Sequence, residues 1–206
     1  MRRRAAPVLL AAALAGCAPT AALMTPPPTV NPGPGQGEEV TGEVAFSAGG
    51  LGSAVRYGPW RVRGEGLDLG YAGDGAWAGT WNGNPARFTT QAGLIQGPGT
   101  QLTLAQGDAG LRIRGVWGGR TVDLSVGRLS LAGSADQGRC TYSLSPAGAN
   151  VLRGLVGCSA AAGAKATAND GSLRFGGEAA LVPDVLLPHF VLALLHVLPT
   201  AVVASP

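Results

Sequence analysis

One unit occurs twice in this chain and limits what the chain can fold into. It is an alternating apolar run, a two-residue turn and a second alternating run. The first copy reads Ala76-Trp77-Ala78-Gly79-Thr80-Trp81, then Asn82-Gly83, then Asn84-Pro85-Ala86-Arg87-Phe88-Thr89. The second runs from Leu111 to Trp117, turns at Gly118-Gly119, and returns from Arg120 to Val126. The copies lie 36 residues apart, from Trp81 to Trp117. Asn-Gly and Gly-Gly are the dipeptides of two-residue hairpin turns, because both tolerate positive φ. Such a turn fixes the register, so Trp117 must face Arg120. Side chains alternate between the two faces of a strand. Leu111, Ile113 and Trp117 therefore share a face with Val122, Leu124 and Val126, and all are apolar. Arg112, Arg114, Thr121, Asp123 and Ser125 fall opposite, with Val116 the exception. In the first copy Trp77, Trp81, Ala86 and Phe88 take the dry face, while Thr80, Arg87 and Thr89 take the wet one. A slip of one residue would scramble both faces.

The same period of two recurs at Val44/Phe46, Leu67/Leu69/Tyr71, Leu102/Leu104, Leu129/Leu131 and Tyr142/Leu144. No stretch from Glu38 to Glu178 carries a helical period. Glycine, at 34 of 206 residues, punctuates this alternation and so marks tight turns between short strands. A sheet with one dry face must bury that face. The expected fold is mostly β, an antiparallel meander of roughly ten to twelve short strands forming a rolled sheet or barrel. Its polar outer face argues against a membrane-spanning barrel, whose outside is apolar.

The N-terminus carries a different kind of signal. Arg2-Arg3-Arg4 precede the apolar run Ala5 to Ala15, and Gly16-Cys17 follow. A basic start, a short apolar run and small residues before a cleavage point make a secretory signal peptide. The run is too short to span a bilayer. Leu14-Ala15-Gly16-Cys17 resembles the lipobox of bacterial lipoproteins. That resemblance covers the first seventeen residues and implies cleavage before Cys17. It further implies a diacylglyceryl group on the Cys17 sulfur and, as a rule, an acyl chain on its new amine. Several chains on one residue suffice for stable membrane attachment. With Ala18 after the cysteine, the family rule favours the outer membrane where a cell has two. The expected location is the cell envelope, with the domain on the exported side.

Residues 1–16 are thus read as signal peptide and 17–37 as a lipidated, Pro/Gly-rich tether. Residues 38–180 form the β domain and 181–206 an apolar C-terminal segment. The stretch Ala18 to Gly37 has six prolines and no charge, a spacer partly of polyproline II character. Removing the signal also changes the charge. The net charge of +3 rests on Arg2, Arg3 and Arg4; beyond them twelve Lys and Arg balance twelve Asp and Glu. Nothing then argues for nucleic acid as a partner. Lys165 is the sole lysine.

With Cys17 assigned to lipid, Cys140 and Cys158 remain. An exported chain meets oxidising conditions, so these two are expected to pair and staple one more hairpin, turning at Pro146 to Asn150. There is no CxxC and no nearby histidine to suggest redox or zinc chemistry.

The tail from Val185 to Ala204 has no formal charge and contains Pro188, Pro199, His189 and His196. Three readings stand: a helix covering the open end or dry face of the sheet, a segment in or on the membrane, and a loosely ordered end. The fold assignment takes it as helical.

No catalytic, cofactor or metal site is expected. The β domain lacks histidine, and two tail histidines without a partner thiolate or carboxylate make a poor metal site. Glu65, Asp68, Asp74, Asp108 and Asp123 show no spacing that singles out an acid/base pair. There is no GxSxG, HExxH or phosphate-binding loop. Trp60, Trp77, Trp81 and Trp117 could stack on a sugar, but the register sends the last three to the dry face. Arg112 with Arg114, and Arg61 with Arg63, could form an anion site, but Asp and Thr neighbours suggest a solvated surface. The expectation is a non-enzymatic, lipid-anchored envelope protein of structural or interaction type, with the membrane engaged through Cys17 and an envelope protein as possible partner. The alternative is a β-barrel binding module for an apolar small molecule or lipid, which needs an interior that the tryptophans and Phe88 do not fill.

Overall fold

The computed structural model describes residues 42–107, 110–127, 129–159, 164–177 and 188–199. The expected signal peptide and tether, Cys17, Asp108 and the ends of the tail lie outside these. The described chain is a closed antiparallel barrel of fourteen strands in meander order. The first four are β1 (Gly42–Ala48), β2 (Leu51–Tyr57), β3 (Arg61–Gly64) and β4 (Leu67–Gly73). Then come β5 (Ala76–Trp81), β6 (Asn84–Gln91), β7 (Leu94–Gly97), β8 (Thr100–Gly107) and β9 (Gly110–Trp117). The circuit ends with β10 (Arg120–Gly127), β11 (Ser130–Ala135), β12 (Cys140–Gly148), β13 (Val151–Cys158) and β14 (Thr167–Gly177). β14 returns to β1, with Val44 opposite Phe175 and Phe46 opposite Leu173, so no edge is left unpaired.

Fourteen strands exceed the ten to twelve suggested by the pattern because β3 and β7 have only four residues each. So short a strand offers two positions per face, too few for alternation to show. Leu129 is a second departure. It sits in the turn before β11, 73% exposed, while Leu131 is buried.

Both hairpins have the expected register, Trp81 opposite Asn84 and Trp117 opposite Arg120. Their turns take positive φ at Asn82 and Gly83 and at Gly118 and Gly119, the conformation that matches strand twist. Leu111, Ile113, Trp117, Val122, Leu124 and Val126 are all buried. The outward face is polar, with Arg56, Arg63, Arg87, Arg114, Arg153 and Arg174 exposed.

The tail supplies the rest of the core. Helix α1 (Pro188–Val197) is apolar on every side, and Phe190 through Leu194 are each 0% exposed. Five consecutive residues cover the whole circumference of a helix, so along that stretch no side of α1 meets water. A helix hydrophobic all round has to be enclosed. It cannot lie outside the barrel, since Ala54 and Arg56 on the outer face of β2 are exposed. It packs instead on the inward residues, with the Phe190 ring 5.7 Å from Tyr57 of β2 and 6.2 Å from Phe175 of β14. The barrel therefore closes around its own C-terminal helix. Pro188 is the first helical residue, where a missing N–H costs nothing, and Pro199 lies beyond the last. Neither proline interrupts the helix.

The two rims differ. β1 begins and β14 ends at the lower rim, beside Tyr57. The turns at Gly49-Gly50, Asn82-Gly83 and Gly118-Gly119 stand at the upper rim, with the connection from β13 to β14. α1 runs from lower to upper: the His189 ring lies tilted against Tyr57 and Trp77 at 5.7 and 6.0 Å, and His196 Nε2 lies 2.7 Å from the Glu65 carbonyl in the β3–β4 turn.

Candidate functional site

The residues singled out in the sequence fall into two groups, those packed inside and those spent on the outer face. Cys140 and Cys158 stand opposite each other on β12 and β13 and form a disulfide, with Cα atoms 4.1 Å apart. The hairpin they staple turns at Ala149-Asn150, after an irregularity between Pro146 and Gly148. Trp77, Trp81 and Trp117 point inward as their register requires. Trp81 lies 5.0 Å from Trp117, and Phe88 stacks on Trp117 at 5.6 Å. Gly97 of β7 makes room for this cluster, since a Cβ there would fall 2.3 Å from the Phe88 ring. Trp60 is 40% exposed at the lower rim, tilted against Tyr71 at 5.7 Å.

Outside, each arginine pair meets one carboxylate. Arg61 grips both oxygens of Asp68 at 2.9 Å. Arg112 and Arg114 converge on Asp123. These are exposed pairs of small energetic weight. Their arrangement matches a solvated surface and leaves Asp68 and Asp123 held by cations. The histidines are also separated. Burial pulls the His189 imidazole down from its ordinary value to about 4, so it is neutral near pH 7. His196 donates Nε2–H to Glu65, since a carbonyl can only accept. Among the described residues no three His, Cys, Asp or Glu side chains gather as metal ligands, and no helix is long and apolar enough to cross a membrane.

The feature that the sequence did not disclose is a pocket at the upper rim. The aromatic cluster of the two hairpins fills one part of that rim. The opposite part, between the end of α1 and the strands β1, β2, β13 and β14, stays open with a volume of about 560 Å³. Phe46, Val156, Val197 and Leu198 line its wall, and each is buried. Ser53, Thr167 and Asn169 face it on the inward side of β2 and β14. Their phase follows from the ladders: Ser53 pairs with Phe46, Thr167 with Cys158, and Asn169 with Val156. Lys165 and His196 complete the polar part of the lining, which among the described residues holds no carboxylate. The volume lies in the range of small-molecule sites, which are typically apolar with a few placed polar groups.

Comparison of the chain with family models, curated proteins and solved structures finds no match. The site therefore has to be read from its own chemistry.

One signal could have found it. Ser53 is in phase with Val55 and Tyr57, and Thr167 and Asn169 are in phase with Leu173 and Phe175. Polar residues at inward positions mark a place where a core is interrupted. More than a hundred residues separate Ser53 from Asn169 in the chain, and the β1–β14 closure alone brings them together.

Proposed function

We propose that this chain is a lipid-anchored protein of the cell envelope whose barrel is a non-enzymatic binding module, with its ligand site at the upper rim. The observation that carries the binding reading is the pocket of about 560 Å³, walled by the end of α1 and the β1–β14 junction. A filled lumen excludes a ligand that runs through the barrel in the manner of a lipocalin, because α1 occupies that space. The pocket beside the helix end is what remains. Support for the anchor is Leu14-Ala15-Gly16-Cys17 behind its basic and apolar leader.

Two measurements test this reading. Intact mass of protein made in a bacterial host should start at Cys17 and carry diacylglyceryl and acyl groups, and the Cys17→Ala chain should lack them. An unlipidated product would remove the anchor. The full-length Cys17→Ala chain, handled without detergent, should bind the neutral fluorophore N-phenylnaphthylamine saturably. Ser53→Trp, which places an indole in the pocket, should abolish that binding while leaving the circular dichroism spectrum unchanged. Fluorescence at the level of buffer for the unsubstituted barrel would remove the binding module.

A further inference from the structure

The pocket's polar groups say what kind of ligand it takes, and this inference rests on the binding-module reading. Inward-facing hydroxyls elsewhere in the barrel are engaged by the backbone. Thr90 Oγ1 donates to Gly75 O at 2.9 Å, and Thr100 Oγ1 donates to Pro98 O at 3.2 Å while receiving Gly118 N–H at 3.2 Å. Ser53, Thr167 and Asn169 have no such partner among the described residues. Three hydrogen-bonding groups thus face one cavity with their capacity unspent, next to an apolar wall. Ser53 and Asn169 are half-buried and Thr167 is exposed, so all three are open to an incoming ligand.

The charge is equally one-sided. Lys165, the sole lysine of the chain, stands at the rim of this pocket, and among the described residues no Asp or Glu lines it. A cation entering would meet a like charge and no counter-ion; an anion would meet an ammonium and two or three donors. The wall of Phe46, Val156, Val197 and Leu198 offers no hydrogen bond and suits hydrocarbon. The volume has room for one acyl chain but not for the pair of a phospholipid.

We propose that the upper-rim pocket binds a single-chain amphiphile with an anionic head, a free fatty acid in type. The chain lies against Phe46, Val156, Val197 and Leu198. The carboxylate meets Lys165 and the donors of Thr167 and Asn169.

The test is calorimetric titration of the full-length Cys17→Ala chain with dodecanoate, dodecanol and dodecyltrimethylammonium below their micelle-forming concentrations. Dodecanoate should bind one to one and at least tenfold more tightly than dodecanol, and the ammonium compound should not bind measurably. Lys165→Glu, at an exposed position that leaves the core intact, should weaken dodecanoate at least tenfold and leave dodecanol unchanged. Asn169→Leu should show the same selectivity for the head group. Equal affinities for dodecanoate and dodecanol, unmoved by Lys165→Glu, would overturn the anionic head and leave the binding module standing. Silence from all three compounds, together with no binding of N-phenylnaphthylamine, would overturn both. Binding that appears only after residues 200–206 are deleted would mean that the chain's own end fills the pocket, which also overturns the proposal.

Discussion

The Tyr142 hydroxyl donates a hydrogen bond to the carbonyl of Pro199, 57 residues further along the chain. This bond ties the exit of α1 to β12 at the upper rim. The ring beside it also packs, edge-on to Phe46 at 6.5 Å, and burial pushes its phenol pKa well up. Tyr142→Phe keeps the ring and deletes the bond. It should cost about 1 kcal/mol in urea unfolding, the net worth of one hydrogen bond whose acceptor water can reach. Phe190→Ala, which empties the lumen beside Tyr57 and Phe175, should cost about 3–5 kcal/mol. If the two variants cost the same, α1 would not be the centre of the core.

Stability should fall in mild acid because of His189. Its imidazole titrates near 6.5 when exposed and near 4 when packed between Tyr57 and Trp77, through burial. Between those values the unfolded chain holds a proton that the folded chain refuses, so stability is full above pH 6.5 and declines as pH falls toward 4. The N-terminus of a helix is also an unfavourable place for a cation. The linkage amounts to about 2 kcal/mol between pH 7.5 and pH 5. Unfolding free energies of wild type and His189→Phe, measured at both pH values, should differ by that slope. Parallel pH profiles would show that His189 accepts its proton without leaving its place.

The sequence disclosed some of this and hid the rest for physical reasons. The hairpins around Asn82-Gly83 and Gly118-Gly119 were legible because a two-residue turn fixes register and each flanking strand has enough residues to show alternation. The Cys140–Cys158 pair followed from reading the N-terminus as an export signal, which leaves these two cysteines to meet in an oxidising compartment. β3 and β7 were too short to reveal a period. The place of α1 was hidden by its own composition, since a stretch apolar on every side gives no stripe to aim it. Three readings of it stood, one of them a helix covering the open end or dry face of the sheet, but none was a helix that the barrel surrounds. The pocket depends on the closure of β1 on β14, the contact most remote in sequence, so Ser53 and Asn169 gave no sign of belonging together.

Two glycines at equivalent places in the repeated hairpins should be irreplaceable. Gly79 and Gly115 take φ +155° and +133°, and an added Cβ would lie 2.0 Å from Asp68 O and 2.1 Å from Gln101 O in the neighbouring strands. Backbone there cannot yield without parting a ladder. Gly115→Ala should cost more than about 3 kcal/mol, by strain and lost strand pairing together. Gly119→Ala is the control, at φ +81° with nothing within 4 Å, and should cost about 1 kcal/mol from conformation alone. Thermal unfolding of the two variants separates close approach from turn strain. Similar losses would mean that β8 moves aside and that the bend at Gly115 is soft.

The disulfide should act locally as well as globally. Cys140 and Cys158 are separated by 18 residues, and closing a loop of that length contributes about 3 kcal/mol in the chain-entropy account. Reduction should therefore lower the urea midpoint without unfolding the barrel, since β12 keeps β11 on its other side. The bond sits at the upper rim, where the β13–β14 connection leaves, and Cys158 lines the pocket. Reduction should then raise amide exchange at Thr141 and Gly157, beside the bond, and leave Leu152 at the other end of the hairpin protected. Ligand affinity should fall in the same experiment, because Val156, Thr167 and Asn169 are held in place by the strands that the bond joins. An unchanged midpoint, with exchange unaltered at Thr141, would show that the ladder between β12 and β13 is sufficient without the covalent link.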